Sequence, residues 1–181
     1  MSIVSVATGQ SPSRYITREG IISFYSDAPL EKIEAHNKKA AAAFETLTGN
    51  FQIVVLMQAF MFEKDLMQQH FNENYVESHK YPKALFKGII ENISQVNFEK
   101  DGEYPVTVSG TMEIHGVTRE VKTTGTLRIE GERVTAISDF MLRPEDYNIK
   151  IPKLVSEKIA REIKVSVHLP MTKRMTDKEG E

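Results

Sequence analysis

From Phe51 to Leu169 the apolar and polar positions of this chain alternate mostly with a period of two, the mark of strands that bury one face. Tyr104, Val106, Val108, Gly110, Met112 and Ile114 share one side of such a run, against Thr107, Ser109, Thr111 and Glu113. Val121, Thr123, Gly125, Leu127 and Ile129 repeat the arrangement, as do Val134, Ala136, Ser138, Phe140 and Leu142. A last run sets Ile163, Val165, Val167 and Leu169 against Lys164, Ser166 and His168. Asp101-Gly102, His115-Gly116 and Gly131 punctuate these runs with residues that tolerate positive φ. Successive strands joined by such short turns pair antiparallel, and several in a row predict a barrel or sandwich.

Three stretches break the pattern. The strand from Phe51 changes parity: Phe51, Ile53, Val55 and Met57 share a face, then Phe60 and Phe62 take it over. A β-bulge produces such a slip and bends a sheet that must close. Lys64 to Phe71 places Leu66, Met67, His70 and Phe71 on one side of two helical turns, predicting a short helix that caps one end of the sheet. Leu30 to Leu47 also fits a helical stripe through Leu30, Ile33, Asn37, Ala40, Ala41, Phe44 and Leu47, and the four alanines Ala40–Ala43 favour helix.

Composition narrows the chemistry. The chain has 181 residues, 40% of them hydrophobic, enough for one domain with a substantial core. Lys and Arg total 23 against 25 Asp and Glu, so there is no positive field of the kind that gathers nucleic acid or an anionic membrane. Cysteine is absent, which removes disulfides, thiolate nucleophiles and Cys-ligated metals. Ala7-Thr8-Gly9 has the small-x-small form of a signal-peptidase site, and Thr172 to Glu181 reads as a charged, disordered tail.

The inward positions carry small residues where a solid core wants large ones. Gly88, Gly110, Gly125, Ala136 and Ser138 all fall on the apolar side of their strands. They either ease tight coiling at barrel corners or leave room along the axis for an apolar ligand walled by Phe and Met. Five histidines (His36, His70, His79, His115 and His168) offer little acid/base or metal chemistry. No zincin spacing, nucleophile elbow or phosphate cradle is present, and no metal or cofactor is expected.

Three segments nonetheless resemble a known family. His70 to Gly88, with Lys80-Tyr81-Pro82 leading into a strand, is similar to a segment of the YceI-like family. Ile114-His-Gly-Val-Thr118 matches that family's most recognisable turn, and Phe140 with Asp146-Tyr-Asn-Ile149 its late motif. The resemblance implies an all-β fold, an extended eight-stranded antiparallel lipocalin-like barrel with a short capping helix, spanning residues 21–171 between an N-terminal extension (1–20) and the tail (172–181). It also implies a bacterial protein exported to the periplasm or secreted, with the cytoplasm as the alternative. In that barrel Leu30–Leu47 becomes two strands around His36-Asn37-Lys38, and its alanines widen the interior. The expected function is non-enzymatic binding, transport or storage of a polyisoprenoid or fatty-acyl chain. The expected walls are Phe24, Met57, Phe60, Phe62, Phe86, Met112, Ile114 and Phe140, with Phe71 and Tyr75 lining or gating one end. Two alternatives remain open: an enzyme using His70 or His115 as acid/base or metal ligand, and an interaction module with a filled barrel. Val54 and Leu56 mark a candidate homodimer face.

Overall fold

The structure is a computed structural model and describes residues 12–175. The expectations for Ala7-Thr8-Gly9 and for residues 176–181 lie outside the described residues. The strands are β1 (Ser13–Asp27), β2 (Lys32–Glu45), β3 (Asn50–Leu56), β4 (Met61–Phe62), β5 (Lys83–Ile90), β6 (Gly102–Ile114), β7 (Val117–Glu130), β8 (Arg133–Leu142) and β9 (Ile163–Met175). They pair antiparallel in the order β1-β9-β8-β7-β6-β5-β3-β2, and the β1–β2 ladder closes the ring. Because β3 and β4 both pair with β2, they are two halves of one interrupted strand, and the barrel is eight-stranded. Residues 13–20 and 172–175 belong to β1 and β9, so the barrel includes ends that the sequence pattern leaves to the flanking segments.

Leu30–Leu47 departs from both sequence-based expectations. β2 is a single uninterrupted strand from Lys32 to Glu45, with neither a helix nor a turn at His36-Asn37-Lys38. Its ladder with β1 runs from Asp27↔Lys32 to Arg14↔Glu45, and this cross-strand pairing outweighs the helical propensity of the alanines. Ala40 is fully buried, 3.2 Å from where a Cβ on Gly20 would sit, so close strand packing is what makes its size necessary. The alanines therefore do not widen the interior, and none of Ala40–Ala43 borders the cavity described below.

The parity change after Phe51 is real, but its device is a 3-10 turn, Met57–Ala59, between β3 and β4. There the β2–β3 ladder lapses after Ala41↔Val54, and the buried Asn37 side chain takes its place. The His115-Gly116 hairpin has φ of 53° and 72°, the two positive values that a type I′ turn demands.

The two ends of the barrel differ. At the end holding the β2–β3 and β7–β8 turns, Tyr15 stacks on Phe44 with ring centroids 5.1 Å apart, and Phe98 covers both. Leu127, Ile129, Val134, Leu169 and Met171 complete this solid floor with at most 1% exposure each. The opposite end carries the capping segment, α1 (Asp65–His70) continued by a π-helical turn through Tyr75, and the long β8–β9 connection.

Candidate functional site

Above the floor the barrel is hollow. A cavity of about 840 Å³ opens between the strands and the capping segments, within the usual range for small-molecule sites. All ten residues expected at the site border it: Phe24, Met57, Phe60, Phe62, Phe71, Tyr75, Phe86, Met112, Ile114 and Phe140. The expectation of a filled barrel is corrected accordingly, because only the floor is solid.

At the capped end Phe24 is the centre of an aromatic cluster, 5.2 Å from Phe60, 5.7 Å from Phe62 and 5.4 Å from Phe71. Phe71 also lies 5.0 Å from Phe62, so the π-helical turn is held down by edge and tilted ring contacts. Burial raises the Tyr75 phenol above its ordinary pKa, keeping it neutral against the apolar wall.

The inward small residues divide into two groups. Gly88 and Gly110 are direct cross-strand partners and do not border the cavity. A Cβ on Gly110 would lie 2.4 Å from the Gly88 Cα, and one on Gly88 would meet the Phe86 ring at 2.6 Å. These glycines let β5 and β6 coil tightly while Phe86 folds back to cover them. Gly125, Ala136 and Ser138 do border the cavity, although a Cβ on Gly125 would also meet the Ile137 carbonyl oxygen at 2.7 Å.

The histidines of the alternative enzyme reading are not brought together. His70 lies exposed at the rim of the cavity, whereas His115 does not border it. His115 Nδ1 lies 3.0 Å from the Tyr147 carbonyl and Nε2 2.6 Å from the Glu77 carboxylate, with the Tyr81 ring edge-on at 4.7 Å. Gly116 presses on the same Tyr81 ring, and Arg119 Nε donates to the Asp146 carbonyl at 2.6 Å. The three recognisable sequence segments thus converge in one clasp that ties the β6–β7 hairpin to the segments before β5 and after β8. Among the described residues no group of His, Asp and Glu is placed to hold a metal.

Sequence reasoning missed the roof. Ile149, Ile151, Val155 and Ile159, from the β8–β9 connection, face the cavity. That connection follows neither a helical nor a strand period, so nothing in its pattern shows which side chains turn inward. Ile53, Val55 and Val108 of the walls were legible as inward-facing yet absent from the expected site.

A family profile for YceI-like domains matches residues 20–171. No curated protein matches the chain in sequence. Among solved structures, a polyisoprenoid-binding domain from Saccharophagus degradans, described as implicated in plant cell wall breakdown, superposes with a TM-score of 0.77 at 14% identity, covering 91% of this chain and 100% of that one. Burkholderia cenocepacia BcnA gives 0.68 at 18% identity over 83% of this chain and 95% of its own. A Campylobacter jejuni YceI protein gives 0.55 at 11% identity over 78% and 84%. Among the described residues no helix is long and apolar enough to cross a membrane.

Proposed function

Because this chain belongs to the YceI-like domain family, we propose that its barrel binds a long apolar chain, polyisoprenoid or fatty-acyl, as a carrier or store without transforming it. The observation that carries this reading is the cavity of about 840 Å³, walled by Phe, Met, Ile and Val above an aromatic floor. An apolar void of that size costs dispersion and transfer energy that an apolar guest restores, about 0.8 kcal/mol per methylene buried. The polyisoprenoid-binding description of the Saccharophagus degradans domain supports the choice of guest. The engagement of both His115 ring nitrogens in the clasp supports a binding role over one in acid/base chemistry.

Extraction of the purified protein with organic solvent, followed by mass spectrometry, tests the proposal. A prenyl or acyl species released in near-stoichiometric amount is the expected result. Protein that is both ligand-free as isolated and unable to take up prenyl or acyl chains would overturn it.

A further inference from the structure

The β7–β8 ladder is short for the strands it joins. It runs from Glu130↔Arg133 to Thr126↔Ile137 and stops there, although β7 continues back to Val117 and β8 onward to Leu142. Each strand keeps its other neighbour beyond that point: β7 stays paired with β6 to Val117 and β8 with β9 to Leu142. The backbone ladder is therefore missing between residues 117–125 and 138–142, with the two strands still touching at Gly125 and Ser138.

The cavity borders this stretch. Along a paired strand only alternate residues face the interior. Here Glu120, Lys122, Ile137 and Met141, which lie on the outward parity, border the cavity together with the inward Thr123 and Phe140. Residues of both parities on β7 and β8 thus touch one void beside the place where their shared ladder ends. Gly125 and Ser138 form the base of the opening, where Ser138 Oγ donates to the Thr124 carbonyl at 2.7 Å.

We infer that the polar end of the bound chain emerges sideways through this β7–β8 opening, while its apolar tail lies toward the Phe24 cluster under the helical cap. The inference rests on the proposed binding of an apolar chain. Its chemical reason is that a polar end buried without partners costs about 2–7 kcal/mol, and most of the cavity wall has none to give. Thr123, Thr126 and Ser138 bring hydroxyls to the opening, and Lys122, held 3.2 Å from Glu91, adds a charged edge beside solvent.

At the capped rim, where exposed Leu66 and His70 also border the cavity, neighbouring segments are tied to one another. There the Leu30 amide donates to the Glu157 carbonyl at 2.9 Å, Ser26 Oγ accepts from the Ala160 amide at 2.9 Å, and Lys64 pairs with Glu31 at 3.4 Å.

The absence of native cysteine allows single labels to test this. Met141→Cys places a bimane at the opening and Leu66→Cys places one on the cap; both parent side chains are exposed and border the cavity. Each labelled protein is titrated with stearate spin-labelled beside its carboxylate, and with stearate spin-labelled beside its methyl end. The expected result is crossed. The Met141→Cys label loses most of its fluorescence to the carboxylate-end probe and little to the methyl-end probe, and the Leu66→Cys label shows the reverse. Stronger quenching of the cap label by the carboxylate-end probe, or equal quenching of the Met141→Cys label by both, overturns the lateral exit while leaving chain binding intact. No saturable quenching at either label overturns chain binding, and this inference with it.

Discussion

Asn37 Nδ2 donates to the Leu56 carbonyl at 2.8 Å across a place where β2 and β3 have no backbone ladder. The same side chain accepts from the Lys39 amide at 2.9 Å and is fully buried, so one asparagine satisfies the Leu56 carbonyl beside the turn and an amide at the register shift of β2 against β1. That turn redirects Phe60 and Phe62 into the aromatic cluster. A polar residue with no part in the chemistry thereby decides the shape of the capped end.

Asn37→Leu, nearly isosteric, leaves the Leu56 carbonyl and the Lys39 amide without partners. Each unsatisfied group costs about 1–3 kcal/mol, so a total loss of roughly 2–6 kcal/mol is expected in urea unfolding. A midpoint unchanged from wild type would show that the barrel heals the lapse by another route.

The clasp makes stability depend on pH in a defined direction. The hydrogen bond from His115, then the nearby Lys80, His115 and His79, holds the Glu77 carboxyl below its ordinary pKa. A carboxylate held low in the folded state stabilises the protein above its unfolded pKa and loses that contribution as pH falls through the folded value. The gap in melting temperature between wild type and Glu77→Gln should narrow as the pH falls below the ordinary glutamate range. A gap that widens on acidification would contradict this assignment.

Two hairpin glycines separate backbone strain from contact. Gly131 has φ of 61° and nothing within 4 Å of an added Cβ, so Gly131→Ala should cost only the left-handed penalty of about 1–2 kcal/mol. At Gly116, φ is 72° and an added Cβ would meet the Tyr81 ring at 2.6 Å. Gly116→Ala should cost more than Gly131→Ala in the same chemical denaturation assay. Equal losses would mean that Tyr81 moves aside freely.

Hollow space also predicts a substitution that the fold tolerates. Ala84 borders the cavity opposite Val55, and Ala84→Phe extends into the void instead of into packed neighbours. Overpacking usually costs about 1–3 kcal/mol, but no such loss is expected here. Thermal stability should hold while acyl-chain affinity drops, as read by displacement of a fluorescent fatty acid.

Affinity should follow chain length. At about 0.8 kcal/mol per methylene, two added carbons strengthen binding roughly tenfold until the cavity is full. Isothermal titration across a saturated fatty-acid series should show that rise and then a plateau. Flat affinity across the series would point to recognition of the polar end alone.

Alternation by itself determined most of this protein. Period-two runs from Phe51 onward assign β5 to β9 and their inward faces, because a strand exposes its pattern residue by residue and needs no distant partner to be read. All ten expected wall residues could be named from that parity and from the family resemblance. Tertiary structure decided the rest. Ala40–Ala43 carry helical propensity, and only a ladder to β1 makes them a strand. Gly88, Gly110 and Gly125 look alike in sequence and all three lie hard against a neighbouring strand, yet of the three Gly125 alone borders the cavity. The roof of Ile149, Ile151, Val155 and Ile159, and the lapse of the β7–β8 ladder, depend on where non-periodic chain returns to the barrel. Local pattern specifies which face of a strand is apolar; whether that face meets another side chain or empty space is set by contacts distant in sequence.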